Sequence, residues 1–174
     1  MLIILGIIAA AILLFIAWRK AAPLEIAKVF GLDAANYEII SSDLGKGHAR
    51  KRLHGYNLAG EPDAILRGKR TGQIVIGEFK NRKYKGYVRR REYYQVILYI
   101  GLARLAFSTE NVVAVLAFND ARVEISFDQD VFNGLKALRS EVITSLSAGK
   151  ATDKRPLHKR MSINPRNRSI RFPR

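Results

Sequence analysis

Two strand-like runs constrain this chain more than any other feature. Residues 63–67 ("DAILR") and 73–79 ("QIVIGEF") are rich in aliphatic and β-branched side chains and are joined by "GKRTG", so they predict a β-hairpin. A second pair, residues 112–118 and 122–127 around Asn119-Asp120-Ala121, predicts another. Between them, residues 88–107 read as a long helix. Residues 128–146 follow as an amphipathic helix whose acidic first turn suits the helix dipole. Upstream, a short helix opens near Pro23 and stops at Gly31, and residues 37–41 read as a short extended piece. The order is helix, hairpin, helix, hairpin, helix. It predicts an α/β chain, an α+β sandwich in which a small mixed sheet is flanked by helices.

The first hairpin carries an anomaly. Asp63 starts one strand and Glu78 ends the other, so antiparallel pairing brings them side by side. Residues two apart on a strand share a face, which puts Lys80 with Glu78 and turns Phe79 toward the core. Two carboxylates in one pocket repel, and one is pushed to hold its proton. A divalent cation removes that conflict, and oxygen ligands select a hard ion, Mg²⁺ or Mn²⁺. Lys80 is then placed to position a water or to stabilise developing charge. Each residue alone has a plainer explanation: a turn-side Asp, a solvent-facing Glu–Lys salt bridge, a buried hydrogen-bonded pair for Gln95 and Tyr99.

Taken in order, Pro62-Asp63, then Glu78-Phe79-Lys80, then Gln95 and Tyr99 within "YYQVILYIGLA" resemble the motifs of the PD-(D/E)XK nuclease superfamily. The last two resemble the Q-x-x-x-Y of RecB-like nucleases, including those of CRISPR adaptation modules. The resemblance runs from about Ser42 to Phe127 and implies a restriction-endonuclease-like core. It also implies that Asp63, Glu78 and the Phe79 carbonyl bind the metal and that Lys80 is the catalytic lysine. Gln95 and Tyr99 would position the nucleic-acid strand. Many such nucleases add an upstream ligand, for which His48, His54, Asp43 and Glu38 are the candidates. Many CRISPR-associated relatives also hold an iron–sulfur cluster. This chain has no cysteine, so that cluster is not expected, and disulfides and thiolate zinc sites are excluded.

Charge points to a polyanionic partner. The formal net charge is +15, and residues 46–91 hold fourteen of the thirty Lys and Arg. Arg89, Arg90 and Arg91 open the long helix, where each opposes the dipole by roughly 0.3–1 kcal/mol. A bound phosphate would reverse that penalty. With Lys83, Lys85 and Tyr87 they predict a groove, one aromatic included, that tracks a DNA backbone with little sequence specificity. Residues 148–174 are basic and poor in apolar side chains, and predict a mobile or extended tail that grips polyanions or anionic lipid.

The start of the chain sets topology. Residues 2–18 are an uncharged apolar run ending in Arg19 and Lys20, roughly 25 Å as helix. A cleaved signal peptide and a buried core helix are the alternatives; the absence of a basic n-region and the all-round apolarity favour an uncleaved transmembrane helix. The expected organisation is an anchor over 1–20, a nuclease-like domain over 21–147 in the cytoplasm by the positive-inside bias, and a basic tail over 148–174. The function expected is a single-pass membrane protein with an Mg²⁺- or Mn²⁺-dependent DNA nuclease domain. The alternatives are an inactive membrane-tethered nucleic-acid-binding module with the same fold and a membrane-surface adaptor.

Overall fold

Strong β-formers pair where the sequence places them. The computed structural model describes residues 26–44 and 49–173. Seven strands form: β1 Tyr37–Ser42, β2 Leu53–Gly55, β3 Leu58–Gly60, β4 Ala64–Gly68, β5 Ile74–Lys80, β6 Val112–Phe118 and β7 Arg122–Ser126. Two long helices, α1 Arg90–Phe107 and α2 Gln129–Ala148, complete a mixed α/β fold. The five-stranded sheet runs β1-β4-β5-β6-β7. Both expected hairpins are present as β4–β5 and β6–β7. They join through a parallel β5–β6 pair, and α1 is the crossover that such a pair requires.

Each face of the sheet buries its own core. Ile65, Ile74, Ile76, Ala114, Leu116 and Phe118 pack under α1, with Val96, Ile97 and Ile100 supplying the helical stripe. The alternate residues Ala64, Leu66, Val75, Val115 and Ala117 pack against Ile26, Ala27 and Phe30. Phe30 needs the glycine opposite it: a Cβ on Gly77 would lie 2.5–2.7 Å from three of its ring atoms.

The segment after β1 contains an unforeseen hairpin, β2–β3, whose turn residues Tyr56 and Asn57 both take positive φ (54° and 58°). The basic C-terminal segment is docked rather than free. It makes 3₁₀ turns at Leu157–Lys159 and Pro165–Asn167, and Met161, Ile163, Ile170 and Phe172 pack on the α1 core. Buried Asn167, with polar partners on both sides, adds to these few apolar contacts. The expected membrane helix, residues 2–18, and the start of the short helix near Pro23 lie outside the described residues. Residues 26–29 are helical, and among the described residues no helix is long and apolar enough to cross a membrane.

Candidate functional site

Strand register brings the two carboxylates of the hairpin together. Ala64 lies opposite Gly77, so Asp63 and Glu78 are the next positions outward on neighbouring chains. Asp63 is held from both sides. Its carbonyl accepts from the Asp43 amide at 3.0 Å and from Ser42 Oγ at 3.2 Å, while its Oδ2 accepts from the Phe79 amide at 2.6 Å. Glu78 and Lys80 face α1, and Phe79 turns the other way into the Phe30 cluster, as the two-residue period requires.

Glu78 is 5 % exposed. Its Oε1 accepts from Lys80 Nζ at 2.9 Å and from Gln95 Nε2 at 2.8 Å. Lys80 Nζ also donates to Gln95 Oε1 at 3.0 Å, and Gln95 Nε2 lies 3.0 Å from the Tyr99 hydroxyl. Gln95 and Tyr99 are four apart on α1 and so meet the strand ends from one helix face. The other oxygen of Glu78, Oε2, is buried with no hydrogen-bond partner, although the Asp63 amide lies near enough to lend the carboxylate a little stabilisation. Burial raises the Glu78 pKa against the opposing pull of Lys80. Burial likewise raises that of Asp63 against the Phe79 amide, and the Asp43 charge adds to the rise.

These features fit a hard cation. An unpartnered buried carboxylate oxygen, beside a second carboxylate whose charge burial disfavours, is a donor set that Mg²⁺ or Mn²⁺ would satisfy. Among the described residues no group of three or more His, Cys, Asp and Glu gathers, so the remaining ligands would be backbone oxygen and water. Of the four upstream candidates, Asp43 is the one beside Asp63. Glu38 pairs with Arg67 further along β1, His54 is exposed on β2, and His48 is outside the described residues.

Tyr99 is seated by β3. A Cβ on Gly60 would lie 2.3 Å from its Cε1 and 2.7 Å from its Cδ1, so the ring occupies space that only a glycine leaves.

Next to this network an open cavity of about 570 Å³ is lined by Phe79, Lys80, Asn81, Arg82, Arg89, Arg91, Glu92 and Gln95. Arg89 and Arg91 thus border the candidate site. Arg90 turns away: its Nη1 donates to the Pro173 carbonyl at 2.9 Å and its guanidinium lies 5.6 Å from the centre of the Phe172 ring. Lys83 is exposed on the preceding loop and does not line the cavity.

Asn81, Arg82 and Glu92 also line the cavity and were not expected from the sequence. Arg82 donates to Glu92 through Nε (3.2 Å) and Nη2 (2.7 Å), and stacks over Phe118 at 4.6 Å. Glu92, in the first turn of α1, also accepts from the Arg89 amide at 2.9 Å. Burial pushes its pKa up, but Arg82 and that amide outweigh it and hold the carboxyl below its ordinary value. The dipole penalty expected of the three arginines is therefore offset within the fold, by an anion at the place where a helix favours one. A glutamate three residues after the helix cap was the available signal.

No family model matches the chain, and no curated protein does. Among solved structures, one described as the crystal structure of SSO0001 is similar at 21 % identity and a TM-score of 0.41, over 73 % of this chain and 59 % of that one. The EndoMS–dsDNA2 complex is similar at 16 % identity and a TM-score of 0.34, over 59 % of this chain and 37 % of that one. The chain therefore spans less than two thirds of either.

Proposed function

We propose that this protein is a divalent-metal-dependent DNA nuclease of the PD-(D/E)XK, RecB-like kind. One observation carries the reading. Glu78 is buried beside Asp63, bonded to Lys80 and Gln95 through one oxygen, and its other oxygen has no partner. A fold gains nothing in stability from such a group, whereas a metal site needs it. Asp63 and Glu78 would hold Mg²⁺ or Mn²⁺, with the Phe79 carbonyl and water as further oxygen donors. A bound ion of this type lowers the pKa of water and neutralises charge developing on a phosphate.

The chain's own residues supply the rest. Lys80, 2.9 Å from Glu78, carries the positive charge that stabilises the phosphoryl oxygens as the P–O bond breaks and water adds. Gln95 fixes the Lys80 ammonium by accepting from it and fixes Glu78 by donating to it. Tyr99 bonds Gln95 and thereby holds its amide orientation. Arg89 and Arg91 border the cavity where the sugar–phosphate backbone would lie. No side chain here is arranged to read base edges, so cleavage is expected to be largely sequence-independent. We extend the proposal to residues 2–18 as an uncleaved membrane anchor with the nuclease domain in the cytoplasm.

The test is direct. The full chain is incubated with labelled single- and double-stranded DNA in Mn²⁺, in Mg²⁺ and in EDTA. Cleavage that requires the ion is expected. DNA binding with no cleavage in any ion would leave a binding module and defeat the nuclease reading.

A further inference from the structure

The end of α1 that borders the cavity is held from behind by the C-terminal segment. The Val88 amide donates to the Arg171 carbonyl at 2.9 Å, and Arg90 Nη1 donates to the Pro173 carbonyl at 2.9 Å. Phe172 lies between them, its ring edge-on to Tyr93 at 5.4 Å and under the Arg90 guanidinium. The segment is itself fastened by Asn167, which is 2 % exposed. Asn167 Nδ2 donates to the Tyr93 hydroxyl at 3.0 Å and to the Ser126 carbonyl at 2.8 Å, and its Oδ1 accepts from the Ser126 amide at 3.1 Å. The Asn164 amide adds a bond to Asp128, the residue that also accepts from Tyr93.

The two sets of contacts interleave. Val88, Arg90 and Tyr93 face the segment, while Arg89, Arg91, Glu92 and Gln95 line the cavity. The first two turns of α1 are thus shared between a purely structural clamp and the candidate site. First turns fray most readily, because their amides have no intrahelical partner. Small displacements of groups that hold a reacting phosphate cost rate out of proportion to stability. We infer that residues 164–173 form a strap that positions the α1 N-terminus, with Asn167 and Phe172 as positioning residues acting through Tyr93 and Arg90 on the cavity-lining Arg89, Arg91 and Gln95. The inference rests on the nuclease reading for its effect on rate, but not for the clamp itself. It reverses the expectation of a tail that adds affinity alone.

The experiment compares the full chain with Phe172→Ala, with Phe172→Tyr and with a chain ending at Ile170. Amide hydrogen exchange is followed by mass spectrometry without DNA, and single-turnover cleavage is measured with Mn²⁺ and saturating DNA. In Phe172→Ala and in the shortened chain, exchange at residues 89–93 should quicken by about tenfold while β5 and β6 keep their protection. The saturated rate should fall by about tenfold with half-saturation changed less than about twofold. Phe172→Tyr, which keeps the ring on Tyr93, should restore both. Unchanged exchange at 89–93, or faster exchange with the rate intact, overturns the strap. If the shortened chain loses protection throughout, Phe172→Ala decides by the same two criteria. A parent that never cleaves defeats the nuclease reading, and exchange alone then decides the clamp.

Discussion

Two buried glutamates, 4 % and 5 % exposed, should respond very unequally to the same substitution. Methionine keeps the length of glutamate and removes its polar atoms. Glu92→Met breaks two bonds to Arg82 and one to the Arg89 amide. Breaking a buried ion pair costs about 3–5 kcal/mol. Arg82 would keep the Lys83 and Tyr84 carbonyls and the Phe118 face, which sets the loss near the bottom of that range. The lost helix-end acceptor adds about 1 kcal/mol. The sum is about 4 kcal/mol, or roughly 8–16 °C in Tm for a domain of this size.

Glu78→Met also removes two charge-assisted bonds, but each donor keeps a partner: Lys80 has Gln95 Oε1 and Gln95 has the Tyr99 hydroxyl. Against those losses stands the removal of a buried carboxylate whose Oε2 bonds nothing. Such an ion carries a desolvation cost of several kcal/mol, comparable with the bonds lost, so the net change should stay within about 1 kcal/mol. Urea unfolding of the two variants and the parent, without divalent ions, measures the difference. Equal destabilisation by both substitutions would refute the assignment of Glu78 to function and Glu92 to structure.

Acid should separate the same pair. Glu92 has a lowered pKa, so its contribution is present above the unfolded value and is lost as pH falls through the folded one. Glu78 has a raised pKa, so its cost sets in as pH rises from the unfolded value and is full above the folded one. Unfolding followed between about pH 2 and 8 should show the Glu92→Met deficit shrinking below the ordinary carboxylate range and Glu78→Met gaining on the parent as pH rises above it. Gly60→Ala should push the Tyr99 ring off Gln95 and cut cleavage more than DNA affinity, read as a fall in the saturated rate with the binding curve little moved; a fall in affinity alone would remove Tyr99 from the positioning role. Carbonate washing should leave the full-length protein in the membrane fraction. A shorter soluble form would point instead to a cleaved leader.

What was legible in the sequence is what short-range chemistry determines. The β4–β5 hairpin follows from aliphatic runs around a glycine-bounded link, and pairing alone carries Asp63 to Glu78 and Lys80. The four-residue spacing of Gln95 and Tyr99 likewise fixed a shared helix face. The β2–β3 turn was hidden because it places Tyr56 and Asn57, rather than an Asn-Gly pair, in the left-handed region. The docked C-terminus was hidden because its four packed apolar side chains are scattered among charges, and its buried polar residue, Asn167, is satisfied by Ser126 and by Tyr93 far away in the chain. Hydrophobic patterning has no signal for such a contact. The Arg82–Glu92 pair depends on how the loop after β5 folds back over α1, which neither residue's neighbours reveal.

Metal-dependent cleavage through Asp63 and Glu78 is tested most directly by removing one carboxylate. Single-turnover cleavage of labelled DNA in Mn²⁺, with enzyme in excess, compares the parent with Asp63→Ala, whose Oδ2 bond to the Phe79 amide is lost but whose fold is kept by the sheet around it. Ion-dependent cleavage by the parent is expected, with a rate at least about a hundredfold lower in Asp63→Ala. Equal rates in the two proteins, from preparations free of other nucleases, would contradict it.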